Sequence, residues 1–408
     1  MYLLVRSSPL LEYSPTALLV ITLVGASTAF FAATCGLVQN DLKRIIAFST
    51  ISQLGYMVMA VGISQYNVAL MHVVNHAFFK ALLFLGAGAI IHSVSDQRDV
   101  RRLGGLIKFL PFIYSCMLVG TIALLGLPWL SGFYSKDLII ELAYSRYSFS
   151  STYAYILGSI TAGLTAFYSF RLISLVFLSY PNAPQNTYNN VHEASLAVII
   201  PLSVLALFSI FFGFVFSDLF VGIGTDFFGN SIFIHPNNTS LIEAEFSLPI
   251  VYKLLPGILS IIGASIAIFE YHQKSSSLIT EFLETNKLIR SIYSFLNGKY
   301  YFDIIYNYYF IGKGLIAGYT ISKIFDRGVI ETLGPYGLAK MFYSSGDNIS
   351  KLDTGVITTY SLYITIGLLS LLFLVCLTPL YLDMTLINFN EIRLVIVYLA
   401  AIIIAICL

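Results

Sequence analysis

Residues 72–84 read HVVNHAFFKALLF, which sets His72, His76 and Lys80 at successive steps of four. At ~3.6 residues per turn, these positions share one slowly drifting helical stripe about 12 Å long. Imidazole and amine are side chains that take up and return protons. Their neighbours are apolar, so the stripe is no solvated face. A charged lysine inside hydrocarbon costs several kcal/mol unless it faces a cavity or a partner. Desolvation disfavours the charged form of any amine, which brings its two protonation states closer in free energy. The three bases therefore read as part of a hydrated proton path. The competing reading is a lysine snorkelling to the interface above two hydrogen-bonded core histidines, and the central position of Lys80 opposes it.

A second constellation is GLPWLSGFYSKDLIIE, residues 126–141. Pro128 cannot donate to the helix ladder and frees the carbonyl of Leu124. Membranes tolerate such a break where the exposed backbone faces protein or water, and transporters place ion sites at such breaks. Lys136, about two turns beyond the proline, is the second candidate base. Asp137 is its neighbour in sequence but points elsewhere on a helix. Alternatively, 131–137 form a loop that leaves both residues in water. Ser49, Ser52, Gln53 and Tyr56 fall at helical spacing, either lining ordered water or gluing helices together. Arg171, among Phe167, Phe170 and Leu172, is either the partner of a buried carboxylate or an interface anchor.

The elements that carry these residues are membrane spans. Of the 408 residues, 57% are hydrophobic and 11% charged, against about 25% charged in soluble domains. Apolar runs at 16–38, 43–63, 68–92, 110–145, 153–178, 195–217, 249–270 and 356–378 approach or exceed the roughly 20 residues a bilayer core requires. The fourth run is too long for one straight helix and is interrupted by Gly126, Pro128 and Gly132. The stretch 392–408 is a marginal further span. If each run crosses once, Lys43, Arg44, Arg98, Arg101, Arg102, Lys108, Lys274, Lys287, Arg290 and Lys299 lie on one side. The 218–248 loop, opposite, holds Asp218, Asp226, Glu243 and Glu245 with no lysine or arginine. By the positive-inside rule the basic side faces the matrix or cytoplasm. Between 300 and 345, Tyr301, Phe302, Ile305, Tyr308, Tyr309, Ile321, Ile324 and Phe325 alternate with Lys313, Lys323, Asp326 and Arg327. That mixture suits one amphipathic helix at an interface or against a partner. Its glycines equally allow several short helices.

Composition also excludes several classes. A net charge of +1 gives no field for nucleic acid. Cys35, Cys116, Cys376 and Cys407 have no paired spacing for an iron–sulfur cluster, a zinc site or a disulfide framework. Neither GxGxxG nor a P-loop occurs, and the first residues lack a signal-peptide pattern. The expectation is a chain with no redox centre, metal or cofactor of its own.

The strings QNDLKRIIAFSTISQLGYM, HVVNHAFFKALLFLGAGAIIHS, DQRDVRRLGGL and LPWLSGFYSKDLIIE resemble the chain 5 family of mitochondrial NADH:ubiquinone oxidoreductase, respiratory complex I. The likeness is dense to about residue 178 and continues through GKYYFDIIY and DRGVIE to about 378. It implies an all-α polytopic membrane protein built on the second five-helix antiporter-like repeat, with 110–145 as its broken helix. Extra C-terminal spans and a long amphipathic lateral helix would follow. The implied organisation is 1–178 for the repeat, 179–270 for additional spans, 271–355 for a lateral segment on the matrix side and 356–408 for the C-terminal span or spans. On this resemblance Lys80 and Lys136 match the family's proton-path lysines, with His72 and His76 beside them, and Ser49, Ser52, Gln53 and Arg171 are candidate lining or charge partners.

The implied function is that of a core membrane-arm subunit, translocating protons across the mitochondrial inner membrane in a multi-pass fold. Electrons would pass from NADH to ubiquinone on other subunits, which would hold the NAD, flavin, iron–sulfur and quinone sites. The implied partners are other membrane-arm subunits, especially antiporter-like neighbours along the lateral helix, and the bilayer. Two alternatives share the same features: a subunit of a multisubunit cation/proton antiporter, and a truncated, non-conducting scaffold. The family's first repeat has no counterpart before Met1, so the expectation is a partial chain. The stretch 392–408 runs beyond the family's last span.

Overall fold

The computed structural model describes residues 1–272 and 285–382. Lys274, the 273–284 part of the expected lateral segment and the marginal span 392–408 lie outside the described residues. The described chain divides into two compact units, Met1–Tyr301 and a second beginning at Phe302.

In the first unit the spans follow from local signals. Helix α1, Pro15–Val38, starts with proline in its first turn and ends where Gln39 turns extended, as a residue with fixed φ and no needed N–H favours a helix start. Helix α2, Leu42–Gly62, is capped by Asp41, whose carboxylate accepts from the Arg44 N–H at 3.2 Å. Helix α3, Tyr66–Ser93, carries the histidine–lysine stripe. The fourth apolar run is broken into α4, Pro111–Leu125, a π-helical turn at Phe133–Asp137, and α5, Leu138–Ser145. Helix α6, Phe149–Ile173, opens with a capping box between Ser148 and Ser151 and runs into a π turn at Ser174–Leu178. Helices α7, Leu196–Val221, and α8, Ile250–His272, complete the bundle.

Six of these helices are long and apolar enough to cross a membrane, and α4 is a shorter apolar helix. Helix α7 has the highest mean hydropathy of the six, 2.6, yet only 17% of its most apolar window is buried within the chain. Leu196, Ile200, Phe211 and Phe214 point outward at 56–73% exposure. An apolar surface of that extent is unstable in water and ordinary in lipid or against another chain. The fold is an all-α polytopic membrane fold, and the expected broken helix is present as α4, the π turn and α5.

Small residues bring the first two spans into backbone contact. A Cβ on Gly25 would lie 2.5 Å from the Met59 nitrogen, and one on Gly55 2.6 Å from the Ala29 nitrogen. Ser52 sits in the same seam and donates to the Ala29 carbonyl at 3.0 Å. In a bilayer, where helices gain little from apolar burial, such packing and hydrogen bonds drive association. At the basic end, Leu42 N–H bonds the Arg98 carbonyl and Val100 N–H bonds the Asn40 carbonyl, which ties the α1–α2 turn to the α3–α4 connection.

Within unit 1, helix α9, Lys287–Asn297, is followed by Tyr300, which stacks on Phe295 and whose hydroxyl shares a hydrogen bond with Thr34. The second unit is helical from 302 to 333, as α-helical turns alternating with π turns, and again over Pro335–Ser350. Gly334 separates the two stretches in an extended conformation. Thus the expected 300–345 region has a kink at Tyr300 and Tyr301, where φ is positive, and from 302 is helical up to the interruption at Gly334. None of its residues is buried within the chain. A further helix occupies Ile357–Leu382.

Candidate functional site

The site is assembled around the break. Helix α4 ends at Gly126, whose φ of +83° closes the helix in the left-handed region, a conformation that costs a side-chain-bearing residue about 1–2 kcal/mol. Pro128 follows, so the last carbonyls of α4 have no helical donors. Lys136 supplies one in their place. It is fully buried, and its Nζ donates to the carbonyls of Leu124 and Leu125 at 3.4 and 3.3 Å and to Thr165 Oγ1 at 3.1 Å. A helix C-terminus carries partial negative charge and favours a cation there. The loop alternative for 131–137 is overturned, because Ser131, Ser135 and Lys136 are each 0% exposed and 133–137 is helical. Gly132 makes this compact break sterically possible: a Cβ on it would lie 1.8 Å from the Ala123 carbonyl oxygen.

Neighbouring helices hold the break from two sides. From α7, the Ser209 carbonyl accepts from the Ser131 backbone N–H at 3.3 Å and from its hydroxyl at 2.6 Å. From α3, Asn75 Nδ2 donates to the Ser131 carbonyl at 2.9 Å and to Ser135 Oγ at 3.1 Å. His72 lies one turn before Asn75. Its Nδ1 pairs with Ser135 Oγ at 2.9 Å and its Nε2 with Gln53 Oε1 at 3.0 Å. The Gln53 amide oxygen only accepts, so His72 Nε2 donates and Nδ1 accepts from the Ser135 hydroxyl. That fixes the tautomer of the ring whenever it is neutral.

His76 stands one turn on, with its ring centroid 6.2 Å from that of His72 and edge-on to Phe79. Lys80 completes the stripe. It is 4% exposed, and its Nζ donates to Ser49 Oγ at 2.8 Å and to the Ile46 carbonyl at 3.3 Å on α2. The structure thus brings Lys80, His76, His72 and Lys136 into one buried run, with Ser49 and Gln53 as direct partners. Ser52 is not in that run and serves the α1–α2 seam instead.

Among the described residues Arg171 meets backbone carbonyls and an amide rather than a carboxylate. Its Nη1 donates to the carbonyls of Leu37 and Gln39 at 3.0 and 2.6 Å, its Nη2 donates to Asn40 Oδ1 at 2.7 Å, and the guanidinium lies 5.6 Å from the Tyr271 ring centroid. It caps the end of α1, where helix carbonyls lack donors. Residues whose importance was not read from the sequence are Asn75, Ser135 and Thr165. Asn75 lies three residues after His72, and Thr161, Thr165 and Tyr168 keep helical spacing inside an apolar span, so the same periodicity argument could have found them.

Comparison with known proteins agrees with this architecture. The family described as NADH:quinone oxidoreductase/Mrp antiporter, TM matches residues 1–165, and NADH dehydrogenase subunit 5 C-terminus matches residues 168–378. The chain is 66% identical over 403 residues to NADH-ubiquinone oxidoreductase chain 5 of Schizophyllum commune, covering 99% of this chain and 58% of that protein. It is 58% identical over 371 residues to the chain of the same description in Mycosarcoma maydis, covering 91% and 55%. The chain therefore spans somewhat over half the length of these relatives. Among solved structures, the Mrp complex from Dietzia sp. DQ12-45-1b matches with a TM-score of 0.51 at 20% identity, covering 85% of this chain and 36% of that one, a likeness of fold.

Proposed function

The chain belongs to the NADH dehydrogenase subunit 5 family, and from that premise we propose that it carries part of the proton path of a membrane-arm subunit of NADH:ubiquinone oxidoreductase. In this reading, protons cross the mitochondrial inner membrane while electrons pass from NADH to quinone on other subunits. The observation that carries it is the buried run of four bases in which every hydrogen-bond partner of the two lysines is neutral. Structural lysines in a membrane interior pair with carboxylates or reach the interface. Among the described residues neither lysine forms an ion pair within 4 Å, although the buried Asp137 carboxylate lies close enough to Lys136 to act on its charge. Each can therefore gain or lose its proton without breaking a direct ion pair.

The histidines fit between them as relays. His72 is set as donor to Gln53 and acceptor from Ser135, and Ser135 is adjacent in sequence to Lys136. A proton taken up at Nδ1 makes the ring cationic while Nε2 keeps its bond to Gln53, and the same nitrogen returns the proton on the Ser135 side. The field of a charge arriving at Lys80 disfavours a second charge at Lys136 and the converse, an interaction that salt screens much less in a buried run than at a surface. Electrostatic coupling of this kind moves protons stepwise along the run. The exposed helical segment of 302–350, interrupted at Gly334 and with Ile304, Tyr308, Leu315, Tyr319 and Phe325 all more than half exposed, is the part of the chain suited to lie against neighbouring membrane-arm subunits.

The test is Lys136→Ala in the intact complex, reading the proton-to-electron ratio in sealed vesicles. The proposal expects the ratio to fall while NADH oxidation persists. An unchanged ratio would end it.

A further inference from the structure

A small chamber lies beside Lys80, away from the histidines. It has a volume of about 10 Å³ and is lined by Ile45, Ile46, Ser49, Lys80, Leu83, Thr121, Leu124, Tyr168, Ser169 and Leu172. A water needs roughly 10–15 Å³ of such space and two to four polar partners. Two groups on the α6 wall lack partners. The Tyr168 hydroxyl and Ser169 Oγ are buried, at 1% and 3% residue exposure, and neither has a hydrogen bond. Ser49 stands opposite Tyr168; its oxygen accepts from Lys80, which leaves its own O–H toward Tyr168 and the Tyr168 O–H still to be met. The lysine itself is incompletely satisfied: a charged ammonium has three N–H donors, and two are used, on Ile46 and Ser49.

We infer that Tyr168 and Ser169 are positioning residues for Lys80, holding one water against its third N–H. The water accepts from Lys80 Nζ and the Tyr168 O–H and donates to the Ser169 hydroxyl, which resolves three unmet hydrogen-bonding groups in one place. Leaving buried polar groups unmet is costly, and a bridging water is nearly as good as a direct bond. The arrangement also gives α6 a role at both lysines. Thr165, one turn before Tyr168 and Ser169, holds Lys136 directly. Leu124 joins the two sites as well, with its carbonyl on Lys136 and its side of α4 walling the chamber. The titratable groups facing Lys80 are His76 from its own helix and Tyr168 from α6. Helices α2 and α4 present only Ile45, Ile46, Ser49, Thr121 and Leu124 there.

Two measurements on the intact complex test this inference. An electron-density or cryo-EM map fine enough for waters shows one peak within hydrogen-bonding distance of both Lys80 Nζ and the Tyr168 hydroxyl; a dry chamber overturns the site. The second measurement rests on the proposed proton path. Tyr168→Phe keeps the ring, which sits where a Cβ on Gly36 would come within 3.3 Å of it, and removes only the hydroxyl. Losing that support for the charged lysine shifts the alkaline limb of the pH profile of proton pumping downward by about one pH unit. Ser169→Ala gives a smaller shift of the same sign. A water peak with an unmoved Tyr168→Phe profile overturns the positioning role. If Lys136→Ala fails to lower the proton-to-electron ratio while the water is seen, the proton reading falls and the site stands.

Discussion

Replacing Gly132 with alanine probes the break by the addition of one methyl group. The new Cβ would lie 1.8 Å from the Ala123 carbonyl oxygen, where contacts under 3.0 Å do not occur, so the two strands of the break must part by about 1.2 Å. The obstacle is backbone, and no side chain can swing aside. Leu124 and Leu125 follow Ala123 directly, and their carbonyls receive Lys136 Nζ at 3.4 and 3.3 Å. Parting by that amount stretches these bonds to about 4.5 Å, beyond hydrogen bonding. Overpacking costs about 1–3 kcal/mol, and one lost bond to a charged group about 1.5–3 kcal/mol. With one of the two bonds retained by relaxation, the total is about 2.5–6 kcal/mol, which lowers the population of the intact break by roughly two to four orders of magnitude. Gly88→Ala, in the last two turns of α3 with nothing within 4 Å of the added Cβ, is the control and gains up to about 0.5–1 kcal/mol from helix propensity. The assay is thermal inactivation of the intact complex together with its proton-to-electron ratio. A Gly132→Ala complex as heat-resistant and as well coupled as wild type would refute the reasoning, as would equal damage from Gly88→Ala.

Other substitutions test separate contacts. Asn75→Leu leaves the Ser131 carbonyl without its side-chain donor, at about 1–3 kcal/mol, and should lower the pumping ratio measured in vesicles more than the rate of NADH oxidation. Arg171→Lys keeps the charge but loses the fork that reaches Leu37, Gln39 and Asn40 together; heat inactivation should occur several degrees lower, and an unchanged midpoint would contradict the capping role. Gly55→Ala should separate α1 from α2 and cost about 1–3 kcal/mol, read by the same heat inactivation. Asp99, in the basic-side connection, is held below the usual carboxylate range mainly by its hydrogen bond from Arg101. A depressed carboxylate contributes stability above its unfolded value of about 3.9 and loses it as pH falls through the folded value. The pair is exposed and worth a few tenths of a kcal/mol, so Asp99→Asn at pH 7 should leave the midpoint almost unmoved.

The sequence by itself determined the membrane class, the spans and the His72–His76–Lys80 stripe. Each is a property of one segment: a run of apolar residues long enough for hydrocarbon, or a four-residue step on a helix whose period is known. The motifs in and around the broken helix were long enough to point to the family as well. What tertiary structure decided were contacts between segments. Pro128 announced a break, but the sequence left Lys136 between water and interior; its burial depends on α3, α6 and α7 closing around residues 131–137. Arg171 shows the same limit, since an arginine in a span has several ways to be satisfied, and only the approach of the α1 terminus selected backbone carbonyls over a carboxylate. Tyr168 and Ser169 looked like ordinary span residues until α2, α3 and α4 enclosed the space in front of them. Periodicity fixes which residues share a helix face, whereas the rotation and depth at which two faces meet arise from packing along the whole bundle, and no local pattern encodes them.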